Sequence, residues 1–232
     1  MAKRLVRDLN DLREQISDLQ ISIPVTEDLS ALANKVIVGN KQTPNAIAIH
    51  PMEGADGQGD GSPSELTLRR YQRFAAGGSG LMWTEAIAVV PEGRANPRQL
   101  YLHDENKEAF KQLVTEIKTV ARDKCGHEPL VIAQLTHSGR YSKPDGKSRP
   151  IIAYHNSHLN QASKLDEVDY QLADDTYLHE LIGKFRHAAK LARAVGFDGV
   201  DIKCCHGYLF SELLSAYNRP GQYGGDYVGR TS

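Results

Sequence analysis

The chain has 232 residues, 40% of them hydrophobic and 25% charged, which is ordinary for a soluble globular protein and enough for one large domain or two small ones. A formal net charge of -1 supplies no long-range field for nucleic acid or an anionic membrane surface, and no apolar run is long enough to cross a bilayer. Three cysteines, two of them adjacent at Cys204 and Cys205, make no disulfide framework, and a charged stretch follows the basic start where a signal peptide would be apolar; a cytoplasmic protein is expected.

Across Arg4–Leu19, the residues Leu5, Leu9, Leu12, Ile16 and Leu19 recur at helical spacing and predict an amphipathic helix packed on the domain or on a partner. Ile21–Pro44 reads as a connector with a small hairpin around Val36–Asn40. Asn45–Pro51 is the first strand; Pro51 ends its ladder and opens the loop Glu53–Gly61, which lacks the closing glutamate of an EF-hand. That loop reads either as an active-site loop or as an ordinary connection. Ser62-Pro63-Ser64-Glu65 is expected to cap a helix running to about Ala76. A strand follows over Gly80–Ala86, then a helix from a cap at Asp104 through Arg122, then a strand over Leu130–Leu135. The polar connection from Tyr141 to about Asp174 is long for a structureless loop and is expected to form a lid or pocket wall, or to hold a local hairpin. Asp174 or Asp175 caps the next helix, which ends at Gly196, and Gly199–Lys203 is the fourth strand.

Alternating strands and helices with apolar strands predict an α/β fold with a parallel sheet. A β/α-barrel and an open doubly wound sheet both fit, but no strand leads into a Gly-x-Gly-x-x-Gly or Walker sequence. Lys203, His206 and Tyr208 cluster at the carboxyl end of the fourth strand, the end at which parallel α/β folds bind ligands. An amine, an imidazole and a phenol together suit proton and charge chemistry, although each alone reads better as a polar residue reaching solvent. His137 reads as a satisfied strand-end histidine, Arg140 as a brace for the loop, and Met82 and Trp83 as core. Glu85 is either a structural carboxylate or a site residue. Cys204-Cys205 has no second pair at zinc spacing, so no metal site is expected.

As a set, Asn45-Ala-Ile-Ala-Ile-His-Pro-Met52, Leu81-Met-Trp-Thr-Glu-Ala86, Gln134-Leu-Thr-His-Ser-Gly-Arg140, Gly199–Tyr208 and Asn218–Gly225 resemble the Old Yellow Enzyme family of FMN-dependent NAD(P)H oxidoreductases, in family order and spacing from about Ile37 onward. The resemblance implies an α/β fold that is the N-terminal half of a TIM (β/α)8 barrel, with four β/α units over 37–232 and a helical extension over 1–36. It implies FMN across the strand tips, NADH or NADPH as electron donor and a small-molecule acceptor, with no nucleic acid or membrane partner and homo-oligomerisation left open. Pro51, Met52 and Glu53 correspond to contacts beside the isoalloxazine, Ala86 to packing near its pyrimidine side, and Gln134 to a hydrogen bond on its polar edge. Lys203 and His206 correspond to the pair holding an acceptor oxygen, with Lys203 also near the flavin, and Tyr208 to the proton donor.

Two positions depart from the family, which usually has His where Lys203 stands and Thr or Cys where Glu53 stands. Lys203 is expected to polarise a carbonyl and to pair with Glu53, lowering that carboxylate. The implied reaction passes hydride from reduced flavin to an activated alkene or related electron-poor acceptor; demethylase or dienoyl-reductase chemistry stays open. Four units are half of an eight-stranded barrel, so the chain is expected to be part of a larger or truncated product that grips FMN weakly or not at all by itself. The alternatives are a barrel lyase using Lys203 as a Schiff-base amine, and a non-catalytic half that assembles with another polypeptide.

Overall fold

The computed structural model describes residues 5–231; the expected helix start at Arg4 and the terminal Ser232 lie outside the described residues. Helix α1 (Leu9–Asp18) begins where the Asp8 side chain accepts from the backbone N–H groups of Asn10 and Asp11. None of its residues is buried and Leu12 and Ile16 reach only half-burial, so the helix is not seated in the core of the domain. The hairpin pairs β1 (Ile37–Val38) with β2 (Lys41–Gln42) around Gly39, whose φ of 62° suits glycine.

The main sheet has the order β3 (Ala48–Ile49), β4 (Leu81–Ala88), β5 (Leu130–Thr136), β8 (Gly199–Ile202), with every pair parallel. Between them run α2 (Glu65–Ala76), α3 (Lys107–Cys125) and α5 (Asp175–Ala194). The first strand is shorter than its apolar run suggests, with two ladder residues. Helix α2 is capped by Ser64 and not by Ser62: Ser64 Oγ accepts from the N–H groups of Leu66 and Thr67, and Thr67 Oγ1 accepts from Ser64 N–H. Ser62 is already engaged with Asp60, to which its N–H and hydroxyl both donate. Likewise α3 starts after Asn106, not Asp104, whose carboxylate instead meets His187 at 2.8 Å.

The long connection holds β6 (Ile151–Ile152), α4 (Ser157–Ala162) and β7 (Gln171–Leu172). Its two strands pair parallel, so the expected hairpin is instead a small crossover: a helix lies between them, and parallel strands cannot be joined by a tight turn. Short helices α6 (Leu209–Leu214) and α7 (Tyr227–Thr231) follow β8.

Met82, Val131, Ala133 and Leu135 face the helices and pack with Phe110, Leu113 and Ile117 of α3 and Leu181, Phe185 and Ala188 of α5. Each large side chain so buried contributes about 1.5–3 kcal/mol. On β8 the same face stays open: Val200 and Ile202 are 41% and 42% exposed, beside an apolar groove of Ile182, Phe185, Ala189 and Phe210.

Candidate active site at the strand tips

Strand register sets the floor of the site. Ala86 pairs with Gln134 and Gln134 with Asp201, so three neighbouring strands present one row near their carboxyl ends. Gln134 is buried and its Nε2 donates to Asp201 Oδ2 at 2.8 Å, while its side-chain carbonyl oxygen accepts no hydrogen bond from the described residues. Lys203 leaves the row just beyond β8, fixed by its own N–H donating to Leu135 O. Its side chain is 5% exposed and its Nζ donates to Glu53 Oε1 at 3.0 Å. The same Nζ lies over the Tyr208 ring, 4.6 Å from the centroid, a cation–π contact.

The Lys203–Glu53 contact joins the loop after β3 to the tip of β8, the two outermost strands. On a flat sheet those strands stand about 14 Å apart, so the contact draws the loop toward the strand ends. Pro51 and Met52 precede Glu53 on that loop; Met52 is exposed and Pro51 half-buried. Three residues hold the loop down, and two of them, Asp56 and Arg70, carry no signal in the sequence. Glu85, fully buried on β4, accepts from Gly54 N–H at 2.9 Å and from Arg70 Nη2 at 2.7 Å, and Arg70 also donates to Asp56 at 2.8 Å. Burial pushes the Glu85 carboxyl up, opposed by the Arg70 hydrogen bond and charge. Glu85 is therefore a structural carboxylate that grips the backbone one residue past Glu53.

After β8 the chain turns sharply through His206 and Gly207, both left-handed at φ 60° and 67°. The turn aims Tyr208 back as the N-cap of α6. His206 and Tyr208 have ring centroids 6.3 Å apart and, with Ala95, Tyr141 and Lys143, line a cleft of about 330 Å3. Burial, then the charge of Glu53, holds the Tyr208 phenol above its usual range. Glu53, Lys203, Tyr208 and His206 thus form one connected patch, with Gln134 and Ala86 in the row beneath it.

The remaining candidates are structural. His137 is buried: Gly139 N–H donates to its Nδ1 at 3.0 Å, which leaves Nε2–H to donate to Tyr177 Oη at 2.7 Å. Burial drives its pKa down to about 4. Arg140 is fully buried against Glu212 and braces the long connection through Asn160 Oδ1 and Tyr154 O. Arg219, in the Asn218–Gly225 segment, donates to Asp175 Oδ1 and Ala173 O, which docks that segment on the start of α5. A larger cleft of about 470 Å3 lies beside it; of its charged lining residues, Asp175 and Arg219 are engaged with each other and Asp174 accepts from Tyr177 N–H. Met82 is fully buried in the core, whereas Trp83 is half-buried on the opposite face of β4. Among the described residues no group of three or more His, Cys, Asp or Glu side chains is arranged to hold a metal ion, and no helix is long and apolar enough to cross a membrane.

A parallel α/β sheet with polar side chains gathered at its strand tips fits the class of β/α-barrel folds, which bind ligands at that end. Residues 34–232 match the family model described as NADH:flavin oxidoreductase / NADH oxidase family, and the chain belongs to that family. It is 32% identical over 190 residues to an NADPH dehydrogenase of Clostridium acetobutylicum, covering 81% of this chain and 52% of that protein. It is 30% identical to an NADPH dehydrogenase of Halalkalibacterium halodurans, covering 86% and 56%. Its fold is similar to an Old Yellow Enzyme homologue of Zymomonas mobilis (TM-score 0.69, 24% identity, 86% of this chain and 56% of that one) and to the Old Yellow Enzyme of a Pichia species (TM-score 0.71, 22% identity, 86% and 53%). Those neighbours are TIM barrels, of which this fold is the N-terminal part. The chain spans about half the length of the relatives it matches.

Proposed function

We propose that this chain supplies the isoalloxazine-side half of an FMN-dependent NAD(P)H oxidoreductase that reduces an activated alkene or a related electron-poor acceptor. The observation that carries the reading is the Lys203–Glu53 bridge, which draws a loop over the strand tips while leaving hydrogen-bonding capacity beneath it unused. The donor set suits a flavin edge. Gln134 offers an unengaged carbonyl, and Lys203 has N–H groups beyond the one given to Glu53. Fully buried Ala86 adds no bulk.

When bound, FMN supplies hydride-transfer chemistry. Lys203 and Gln134 would hold its polar edge, with Pro51, Met52 and Glu53 along its side. Lys203 brings fixed positive charge to a mostly buried position, where a preorganised donor stabilises developing negative charge on oxygen. His206 and Lys203 orient the acceptor oxygen, and Tyr208, its phenol kept protonated by burial, delivers a proton to carbon. The loop over the strand ends limits water. The Schiff-base reading is less favoured because Lys203 faces a carboxylate, not the apolar or cationic surroundings that activate a lysine nucleophile.

The test is titration of the full chain with FMN, followed by flavin fluorescence and by NADPH oxidation with a cyclic enone. Saturable quenching that Lys203→Met and Gln134→Leu weaken would support the reading. Absence of saturable FMN binding would sink it for this chain, and borohydride trapping of a carbonyl compound on Lys203 would favour the lyase.

A further inference from the structure

The three thiols of the chain sit in three different environments. Cys125, at the end of α3, is half-buried and its Sγ donates to Ala76 O at 3.5 Å, so its proton is held by a backbone carbonyl. Cys204 is exposed, but burial of its sulfur, with the charges of Asp201 and Cys205, pushes its thiol up. Cys205 is exposed, and its Sγ lies 2.9 Å from His206 Nδ1. With the proton on sulfur, Nδ1 is the acceptor and the imidazole carries its own hydrogen on Nε2. That is the contact from which an imidazole removes a thiol proton.

Cys205 and His206 are both exposed just past β8, where the backbone is left-handed at His206 and Gly207. His206 lines the cleft whose other walls are Ala95, Tyr141, Lys143 and Tyr208; Lys143 contributes positive charge and no carboxylate lines that cleft. An exposed thiol next to a base is where a cysteine reacts, whereas a thiol held by a carbonyl is less available.

We infer that Cys205 and His206 form a nucleophilic pair, making Cys205 a covalent-modification site for soft electrophiles of the α,β-unsaturated carbonyl class. In the addition, His206 Nδ1 takes the thiol proton and the sulfur forms a bond to the β-carbon. The alkene π pair shifts to give an enolate, and the imidazolium returns the proton to the α-carbon. The net change is addition of S–H across C=C, with no oxidant or reductant required. The site needs no flavin, but it shares His206 with the acceptor-orienting pair proposed above, and the same class of molecule would meet both.

The full chain, without added FMN, is treated with limiting N-ethylmaleimide, quenched at intervals and mapped by peptide mass spectrometry. Cys205 should label about tenfold faster than Cys204 or Cys125, the margin expected when one thiol of three has an adjacent base. His206→Asn keeps a residue that tolerates the left-handed backbone and should bring the Cys205 rate down to that of Cys204. Cys204→Ser should leave the Cys205 rate unchanged, and Cys205→Ser should abolish the fast phase. Equal rates at all three thiols, or a Cys205 rate indifferent to His206→Asn, would overturn the inference. Failure of FMN binding would leave it standing.

Discussion

Arg140→Met should be among the most damaging substitutions away from the strand tips, and the damage should depend on what remains behind. The arginine and Glu212 are each 1% exposed, and the guanidinium also donates to Asn160 Oδ1 and Tyr154 O. Methionine fills much of the volume but leaves the Glu212 carboxylate buried without a cation, with Ala153 N–H still donating to it. Breaking one side of a buried pair costs about 3–5 kcal/mol. With an unfolding entropy of about 2.1 cal/mol/K per residue, or about 0.5 kcal/mol/K for this chain, the melting temperature should fall by about 6–10 °C. Adding Glu212→Gln removes the stranded charge and should recover a large share of the loss. Burial already pushes Glu212 up. A carboxyl whose folded pKa lies above its unfolded value stabilises most when protonated, so the deficit of Arg140→Met should shrink as pH falls. The assay is thermal and urea unfolding by circular dichroism at pH 7.5 and pH 5 for the two single variants and the double. A loss below about 1 kcal/mol, or a double variant no better than Arg140→Met, would refute the stranded-charge account.

Glu85→Gln should cost about 2 kcal/mol, because it removes the carboxylate that joins Arg70 to Gly54; limited proteolysis should then cut the 53–61 loop faster than in the parent chain. His137 is neutral in the fold, with its pKa pushed down to about 4, so the unfolded chain binds more protons between that value and about 6.5. Stability should therefore fall as pH drops through that window, by up to about 3 kcal/mol, and His137→Asn should flatten the slope. Gly93→Ala should cost about 1–3 kcal/mol in urea unfolding, since its new Cβ would sit 2.8 Å from the His137 ring.

What the sequence reveals is what is written locally. The strand tips, the clustering of Lys203, His206 and Tyr208, and the alternation of elements can all be read because each rests on neighbours within a few residues. The loop anchor is different. Asp56, Arg70 and Glu85 come from a loop, a helix and a strand, and no spacing rule brings them together before the fold does. The Arg140–Glu212 pair spans 72 positions. The caps differ from expectation because equally good local signals compete: Ser62 could have capped α2, but Asp60 holds it, and Asp104 could have capped α3, but it faces His187. Helix α1 has the pattern for burial, yet pattern specifies only a face and not a surface to receive it.

The two departures from the usual family residues are best understood as one change. Lys203 and Glu53 meet at 3.0 Å, so the lysine brings a cation and the glutamate brings the counter-charge that allows it to be buried. Lys203→His alone would strand Glu53, and Glu53→Thr alone would leave an ammonium 5% exposed with only the Tyr208 ring beside it. The double substitution removes both charges together. A double-mutant cycle on unfolding free energy should give a coupling of about 1 kcal/mol, kept low because the Glu53 side chain is 35% exposed and water screens the pair. Strictly additive single and double variants would mean that the two residues changed independently and that their contact does not hold the loop across the strand tips.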